Sequence, residues 1–413
     1  MKVFKFGGAS LKDSTGVKNV ASIIASEPSN NLVVVVSAMG KTTDMLERVL
    51  AVGSSKQDYR TALGDLKKYH SEIIEGLFTD PSPVISEVET HFADIEKQLG
   101  SSAGFDQVYD QVVCKGELVS SVIVHHYLPS KNVASIWHDS RTSVNTDNNF
   151  REGRVDWPKT SVAIEKLRPI LKKNIIITQG FIGKTEDGFT TTLGREGSDF
   201  SAAIFASCLL AESVVIWKDV PGVMNADPKR IPTAIVFEEL PFKEAAEMTY
   251  YGASVIHPKT IKPLANKGIP LYVKNFTDTT LPGTKIHECQ IENLPPLIVF
   301  KENQCLISCK VTDYTFISEQ QLTIIFHALY ELDIRLNLMQ NSAISLSFCV
   351  DFREDKVSKL IEKLQQHFEV FYNTGLTLIT IKNYDEATFE TYRKRKGVLL
   401  EQSSRSTLQV LVK

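Results

Sequence analysis

The chain has little cysteine: six residues in 413, at positions 114, 208, 289, 305, 309 and 349, with no C-x-x-C pair. That excludes a disulfide framework and the common zinc-ribbon and thioredoxin-type motifs, and predicts reduced, buried thiols of a cytoplasmic protein. No apolar run approaches the roughly 20 residues that a membrane-spanning helix needs. The opening MKVFKFGGAS lacks the apolar segment of a signal peptide and goes straight into a strand-like pattern. Positive charge is not in excess: 46 Lys and Arg stand against 49 Asp and Glu, a net charge of −3. A nucleic acid or an anionic membrane is therefore not an expected partner. There is no low-complexity tract.

At this length two or three domains are expected. Strand-like and helix-like patterns alternate through the first part of the chain. Val3–Phe6, Leu32–Ser37 (LVVVVS), Asn132–Trp137, Asn174–Gln179 (NIIITQ) and Ser213–Trp217 (SVVIW) read as strands. Asp44–Val52, Asp58–Phe78, Asp106–Leu128, Pro158–Lys172 and Asp199–Leu210 read as helices. Such alternation predicts an α/β/α sandwich on a mainly parallel sheet, with ligands beyond the carboxyl ends of the strands. A Thr-, Pro-, Gly- and Asn-rich stretch places a boundary near Asn293–Pro296.

Beyond that boundary the pattern becomes β-α-β-β-α: Cys305–Val311, Glu319–Leu332, Ile334–Met339, Ala343–Val350 and Glu354–His367. This is a small ferredoxin-like unit. A shorter round follows, with Thr377–Lys382 a strand, Glu386–Gln402 a helix and Thr407–Val412 a closing strand. Pro296–Phe300 supplies the second unit with a strand from before the first. The expected domains are 1–293, 304–370, and 296–303 together with 371–413.

Several loops after strands carry chemistry. KFGGAS (Lys5–Ser10) fits neither G-x-x-x-x-G-K-[ST] nor G-x-G-x-x-G. Gly7 and Gly8 suit either a plain turn or backbone N–H groups crowding an anion that Lys5 also reaches. In VVVVSAMGKTTD (Val33–Asp44), Ser37, Gly40, Thr42 and Thr43 can donate to oxyanions, and either Thr can cap the next helix. CKGELVSS (Cys114–Ser121) puts Glu117 in an apolar helix, where its carboxylate needs a cation, from a core Lys or Arg or from a ligand.

TTLGREGSDFSAA places Gly194, Arg195, Gly197, Ser198 and Asp199 at a helix start. Ser198 can cap, Asp199 suits a first turn, and Arg195 offers a fork for a carboxylate. WKDVPGVMNADPKRIP (Trp217–Pro232) brings Lys218 and Asp219 to a strand end, with Asp227 and Lys229 in a long ordered loop suited to a nucleotide. His257, before Pro258 at a helix start, reads as a structural histidine.

In this order and spacing KFGGAS, VVSAMGKTTDML, KGELVSS, TTLGREGSDFSAA, WKDVPGVMNADPK, YYGASVIHPKTI and VKNFTDTTLPGTKI resemble the motifs of aspartate kinase (aspartokinase) of the amino acid kinase family. The two C-terminal units look like that family's paired ACT domains, and the likeness covers essentially the whole chain. The resemblance implies transfer of the ATP γ-phosphoryl group, with Mg²⁺ carried by ATP, to the β-carboxylate of L-aspartate, the first step towards lysine, threonine and methionine. It also implies a homodimer joined through the ACT domains, with an amino-acid effector.

The implied catalytic residues are Lys5, Gly8 and Asp199. Ser37, Thr43, Glu117, Arg195 and Ser198 would bind aspartate: Glu117 its ammonium, Arg195 its α-carboxylate. Lys5, Gly7, Gly8, Lys218, Asp219, Asp227 and Lys229 would bind ATP, and Asn337, Asn341, Ser342 and Ser345 are the effector candidates. The chain departs from the family at Ala9 for Thr and at Ser254 for Lys, and Lys218 is expected to supply the missing charge. Asn337 stands where lysine-sensitive members often have Asp, and Thr312–Gln321 lacks the usual glycine, which points away from lysine as effector.

Two other readings compete. An N-acetylglutamate or glutamate 5-kinase would lack the ACT pair, and an acetylated amine would leave Glu117 unpaired. A non-catalytic amino-acid sensor would be expected to have lost Lys5, Arg195 or Asp199, and all three are present. A fused homoserine dehydrogenase is not expected, since no G-x-G-x-x-G is seen.

Overall fold

A computed structural model describes residues 1–27, 31–253, 256–312 and 315–413. Ser254 lies outside the described residues, as do Asp313 and Tyr314 of the effector loop.

The strands of the first part are β1 (Lys2–Phe6), β2 (Leu32–Val36), β3 (Ser135–His138), β4 (Ile175–Gln179), β5 (Ile182–Lys184), β6 (Thr190–Thr192), β7 (Ser213–Lys218), β8 (Glu239–Pro241), β9 (Leu271–Asn275) and β10 (Thr284–His287). The helices are α1 (Ser14–Ala25), α2 (Thr42–Ser54), α3 (Arg60–Glu75), α4 (Ser82–Leu99), α5 (Phe105–Val113), α6 (Lys115–Tyr127), α7 (Trp157–Glu165), α8 (Arg168–Leu171), α9 (Gly197–Leu209), α10 (Phe242–Tyr250) and α11 (Pro258–Ala265). None of the described helices is long and apolar enough to cross a membrane.

Eight strands form one sheet in the order β3-β4-β2-β1-β7-β9-β10-β8, parallel from β3 to β9, with β10 antiparallel to β9. Every residue of β2 is buried, as an unbroken Val run requires when helices cover both faces. Phe4, Phe6, Val34 and Val36 join a core with α1 to α6, and α9 packs over β1, β2 and β7. Parallel pairing aligns Phe6 with Val36 and with Trp217. The strand ends at Lys5–Phe6, Val36 and Lys218 therefore open on one edge of the sheet. β5 and β6 form a separate hairpin.

The remaining strands, β11 (Leu297–Lys310), β12 (Leu336–Asn341), β13 (Ser345–Asp351), β14 (Glu369–Lys382), β15 (Val398–Ser403) and β16 (Thr407–Val412), make one antiparallel sheet in the order β12-β13-β11-β14-β16-β15. Helices α12 (Glu319–Glu331), α13 (Glu354–Leu364) and α14 (Glu386–Arg393) complete two ferredoxin-like units. Leu297–Lys301 pairs with Leu378–Lys382, so the second round takes a strand from before the first.

By compactness the chain forms two units. One holds Met1–Val223, Val236–Ala246 and Val255–Gln290; the other holds Met224–Ile235, Glu247–Ser254 and Ile291–Lys413.

Three expectations need correction. The helix read over Asp106–Leu128 divides at Cys114, whose thiol donates to the Gln111 carbonyl. The run read over Pro158–Lys172 likewise divides into α7 and α8. The helix read over Glu386–Gln402 ends at Arg393: Gly397 has φ +82°, and the residues beyond it pair with β16. Strand partners there override a charged, helix-like local pattern.

Candidate active site

The first two loops are laced together. Ser37 N donates to the Phe6 carbonyl and Gly40 N to the Gly8 carbonyl, both at 3.0 Å. A Cβ on Gly8 would lie 2.7 Å from the Ala38 carbonyl oxygen and 2.8 Å from that of Gly40. Only glycine permits that approach. Neither Thr42 nor Thr43 caps α2; Lys41 holds the cap position. The Thr42 hydroxyl instead lies 3.2 Å from Nε2 of buried His70, whose Nδ1 is 2.9 Å from the Leu66 carbonyl. Nδ1 must therefore donate, leaving Nε2 to accept from Thr42. Burial pushes His70 down to about 4, so the ring stays neutral at pH 7.

Helix α6 starts against these loops, and Glu117 falls in its first turn at 3 % exposure. One carboxylate oxygen accepts from Ala38 N at 3.3 Å, and the other is buried without a hydrogen-bond partner. Burial pushes its pKa up to about 8, against the opposing pull of two backbone amides and the Lys5 ammonium. No core cation forms an ion pair with Glu117 among the described residues.

The third contribution is the corner between β6 and α9. Gly194 has φ +74° and Glu196 φ +53°, so the chain turns sharply and α9 begins at Gly197 without a side-chain cap. Ser198 is therefore inside the first turn rather than its cap. A Cβ on Gly180 would sit 2.5 Å from the Ser198 Cβ, which shows how tightly the turn after β4 closes on this corner. Asp199, 3 % exposed, lies 2.6 Å from the Lys5 ammonium, and its other oxygen is 3.7 Å from that of Lys218. Arg195 is exposed and makes no ion pair among the described residues.

These pieces enclose a cavity of about 800 Å³ lined by Lys5, Gly8, Ser37, Thr43, Glu117, Arg195, Ser198, Asp199 and Lys218. Its size suits a small metabolite with a nucleotide's phosphates. Gly7 is not in the lining: its carbonyl accepts from the Ser10 hydroxyl at 2.6 Å. Asp219 is exposed and does not line the cavity either. Asp227 and Lys229 belong to the second unit, where an Asp227 carboxylate oxygen accepts from Lys229 N at 2.9 Å.

Among the effector candidates, Asn341, Ser342 and Ser345 share the β12–β13 hairpin, closed by Ser342 N donating to the Ser345 carbonyl. Asn337 is committed elsewhere. Its amide oxygen accepts from Lys301 at 2.9 Å, and its nitrogen donates to Gln304 at 2.7 Å and Asp351 at 2.8 Å.

The structure adds Tyr109, Asn149, Phe150, Arg151, Glu152 and Phe181 to the lining, and Asp110 behind it. Asp110 is fully buried and accepts from Arg151 N at 2.8 Å, Thr192 N at 2.9 Å and the Thr192 hydroxyl at 2.7 Å. Burial raises its pKa to about 6 despite those bonds. One carboxylate thus ties helix α5 to two lining segments. Asp110, like Glu117, is a carboxylate in a helix with an apolar face, a signal present in the sequence.

Fold and site together define a kinase of small carboxylic or related acceptors, and residues 1–275 match the model of the amino acid kinase family. The chain is 32 % identical over 355 residues to lysine-sensitive aspartokinase 3 of Escherichia coli, covering 84 % of this chain and 78 % of that protein. It is 34 % identical over 296 residues to a chloroplastic bifunctional aspartokinase/homoserine dehydrogenase 1 of Zea mays, spanning 70 % of this chain but only 32 % of that longer protein. The E. coli aspartokinase III structure in complex with aspartate and ADP superposes with a TM-score of 0.85 at 28 % identity, covering all of this chain and 96 % of that one. The chain belongs to the amino acid kinase family, in its aspartokinase branch.

Replacing Asp110 by Ala strands the buried Thr192 N–H, at about 1–3 kcal/mol, and removes the acceptor of the half-buried Arg151 N–H. Asp110→Ala is expected to lower the thermal midpoint clearly and Asp110→Asn far less, since an amide oxygen still accepts both bonds. Thermal unfolding of the two variants beside the parent checks this.

Proposed function

We propose that this chain transfers the γ-phosphoryl group of ATP to the β-carboxylate of L-aspartate, giving 4-phospho-L-aspartate and ADP. One observation carries the reading: among the described residues buried Glu117 has no ion-pair cation and Arg195 no ion-pair anion, and both line the same cavity. An α-amino acid supplies one of each. Aspartate and ADP, the ligands named with the E. coli aspartokinase III structure, support the same choice.

A side-chain carboxylate with a pKa near 3.9 is already an ionised nucleophile at neutral pH, so the reaction needs no general base. The barrier is the approach of one anion to another, and catalysis rests on positioning and charge neutralisation. Lys5 meets the transferring phosphoryl, held there by Asp199. Gly8 offers a backbone amide on the same loop. Lys218 adds a second ammonium beside Asp199, and Ser37, Thr43 and Ser198 hold the acceptor between Glu117 and Arg195.

Among the described lining residues the buried carboxylates are Glu117 and Asp199, and Asp199 already faces two lysines. That donor set suits Mg²⁺ held by the phosphate oxygens of ATP rather than by a protein cage. When bound, the ion spreads and neutralises phosphate charge. The antiparallel six-stranded sheet of the second unit supports a regulatory role there, with an amino acid other than lysine as effector at the Asn341–Ser345 hairpin. Asn337, already bonded to Lys301, has little left to offer a ligand ammonium. A cytoplasmic homodimer joined through this unit completes the proposal.

A protonated Glu117 cannot take the substrate ammonium, so aspartate must expel a proton held with a pKa of about 8. The dissociation constant for aspartate is expected to fall as pH rises towards 8, by at most about tenfold per unit, and then to level. Glu117→Gln is expected to bind weakly and without that slope. Calorimetric titration across this range checks both.

The activity itself is tested by ADP release with Mg-ATP and L-aspartate, L-glutamate or N-acetyl-L-glutamate, trapping the acyl phosphate as a hydroxamate. Turnover on L-aspartate alone is expected. Folded protein that is silent on all three overturns the proposal.

A further inference from the structure

A second cluster of ligating groups lies outside this cavity, at the edge of the same sheet. Strands β8 and β10 run parallel, with Lys285 opposite Glu239 and His287 opposite Pro241. Alternation along β10 brings Lys285 and His287 to one side, and Cys289 follows two residues after the strand ends. A Glu239 carboxylate oxygen, His287 Nε2 and Cys289 Sγ all lie within 4.8 Å of one another. Nε2 is buried and makes no hydrogen bond, although it is 3.3 Å from Glu239 Oε1. Cys289 alone among the six cysteines is not buried.

Left as they stand, these groups satisfy one another poorly. The imidazole nitrogen has no hydrogen-bond partner. The Glu239 and Glu288 carboxylates place negative charge beside the Cys289 thiol. A dication would reverse each of these: it takes the imidazole lone pair, favours the thiolate and offsets the carboxylate charge.

We propose that Glu239, His287 and Cys289 form a binding site for a divalent metal ion of the Zn²⁺ class. Sulfur, nitrogen and oxygen donors together suit zinc better than Mg²⁺ or Ca²⁺, which favour oxygen alone. A tetrahedral zinc site has its ligand atoms roughly 3.5 Å apart, so small side-chain rotations close the set. Three protein ligands leave one position for water. Lys285, 3.6 Å from Glu239, competes for the carboxylate and must turn to solvent as the ion enters. The bound ion would staple β8 to β10 at the edge of the sheet.

The test is calorimetric titration of the full chain, freed of metal by chelator, with Zn²⁺ in two buffers of different ionisation enthalpy. One ion per chain is expected, with release of about one proton from the thiol. Co²⁺ in its place should give a thiolate-to-metal charge-transfer band. Cys289→Ser and His287→Ala should abolish both signals, Glu239→Gln should weaken binding, and Lys285→Met should strengthen it. No saturable binding to the parent overturns the site, as does binding that survives unchanged in folded Cys289→Ser. Neither result depends on the kinase activity.

Discussion

The contact between Lys5 and Asp199 fixes the rest of the site. The two residues come from elements far apart in sequence, the end of β1 and the first turn of α9, and both are buried. Removing one partner of such a pair costs about 3–5 kcal/mol, because the other charge stays behind in a poor solvent. The pair therefore pins a central strand end to a helix start. Asp199 is well placed for this, since the N-terminal end of α9 favours negative charge. The left-handed corner at Gly194 and Glu196 exists to deliver it there.

Around that pair, two groups of the cavity lining stand without an ion-pair partner among the described residues. Among the described residues, Glu117 in its apolar helix has one oxygen without a hydrogen-bond partner, and exposed Arg195 at the corner pairs with no anion. A stable core does not bury a carboxyl oxygen without a partner. In the function proposed here, one zwitterionic ligand resolves both mismatches, and the lysines beside Asp199 meet phosphate. The same loops serve as walls and as donors, which is why Gly8 and Gly180 tolerate no side chain.

Much of this was legible in the sequence. The Val run of β2 and the NIIITQ run of β4 announce strands buried on both faces, and the glycines at 194 and 197 announce the corner. Lys5, Ser37, Thr43, Glu117, Arg195, Ser198, Asp199 and Lys218 all reach one cavity. What escaped has physical reasons. Asn149 to Glu152 sit in an irregular turn without periodicity, positioned by the distant Asp110. The strand Val398–Ser403 follows a charged helix-like run, and only its pairing with β16 decides it. Whether Glu117 would find a core cation depended on packing that no local pattern encodes.

The most direct test of the account is single-turnover phosphoryl transfer by Asp199→Asn, with aspartate affinity measured on the same protein. If Asp199 serves to hold Lys5 at the phosphoryl, the rate falls by about 10²–10³-fold, while aspartate binds within about threefold of the parent. A rate close to that of the parent, in a folded variant, would contradict the central place given to this pair.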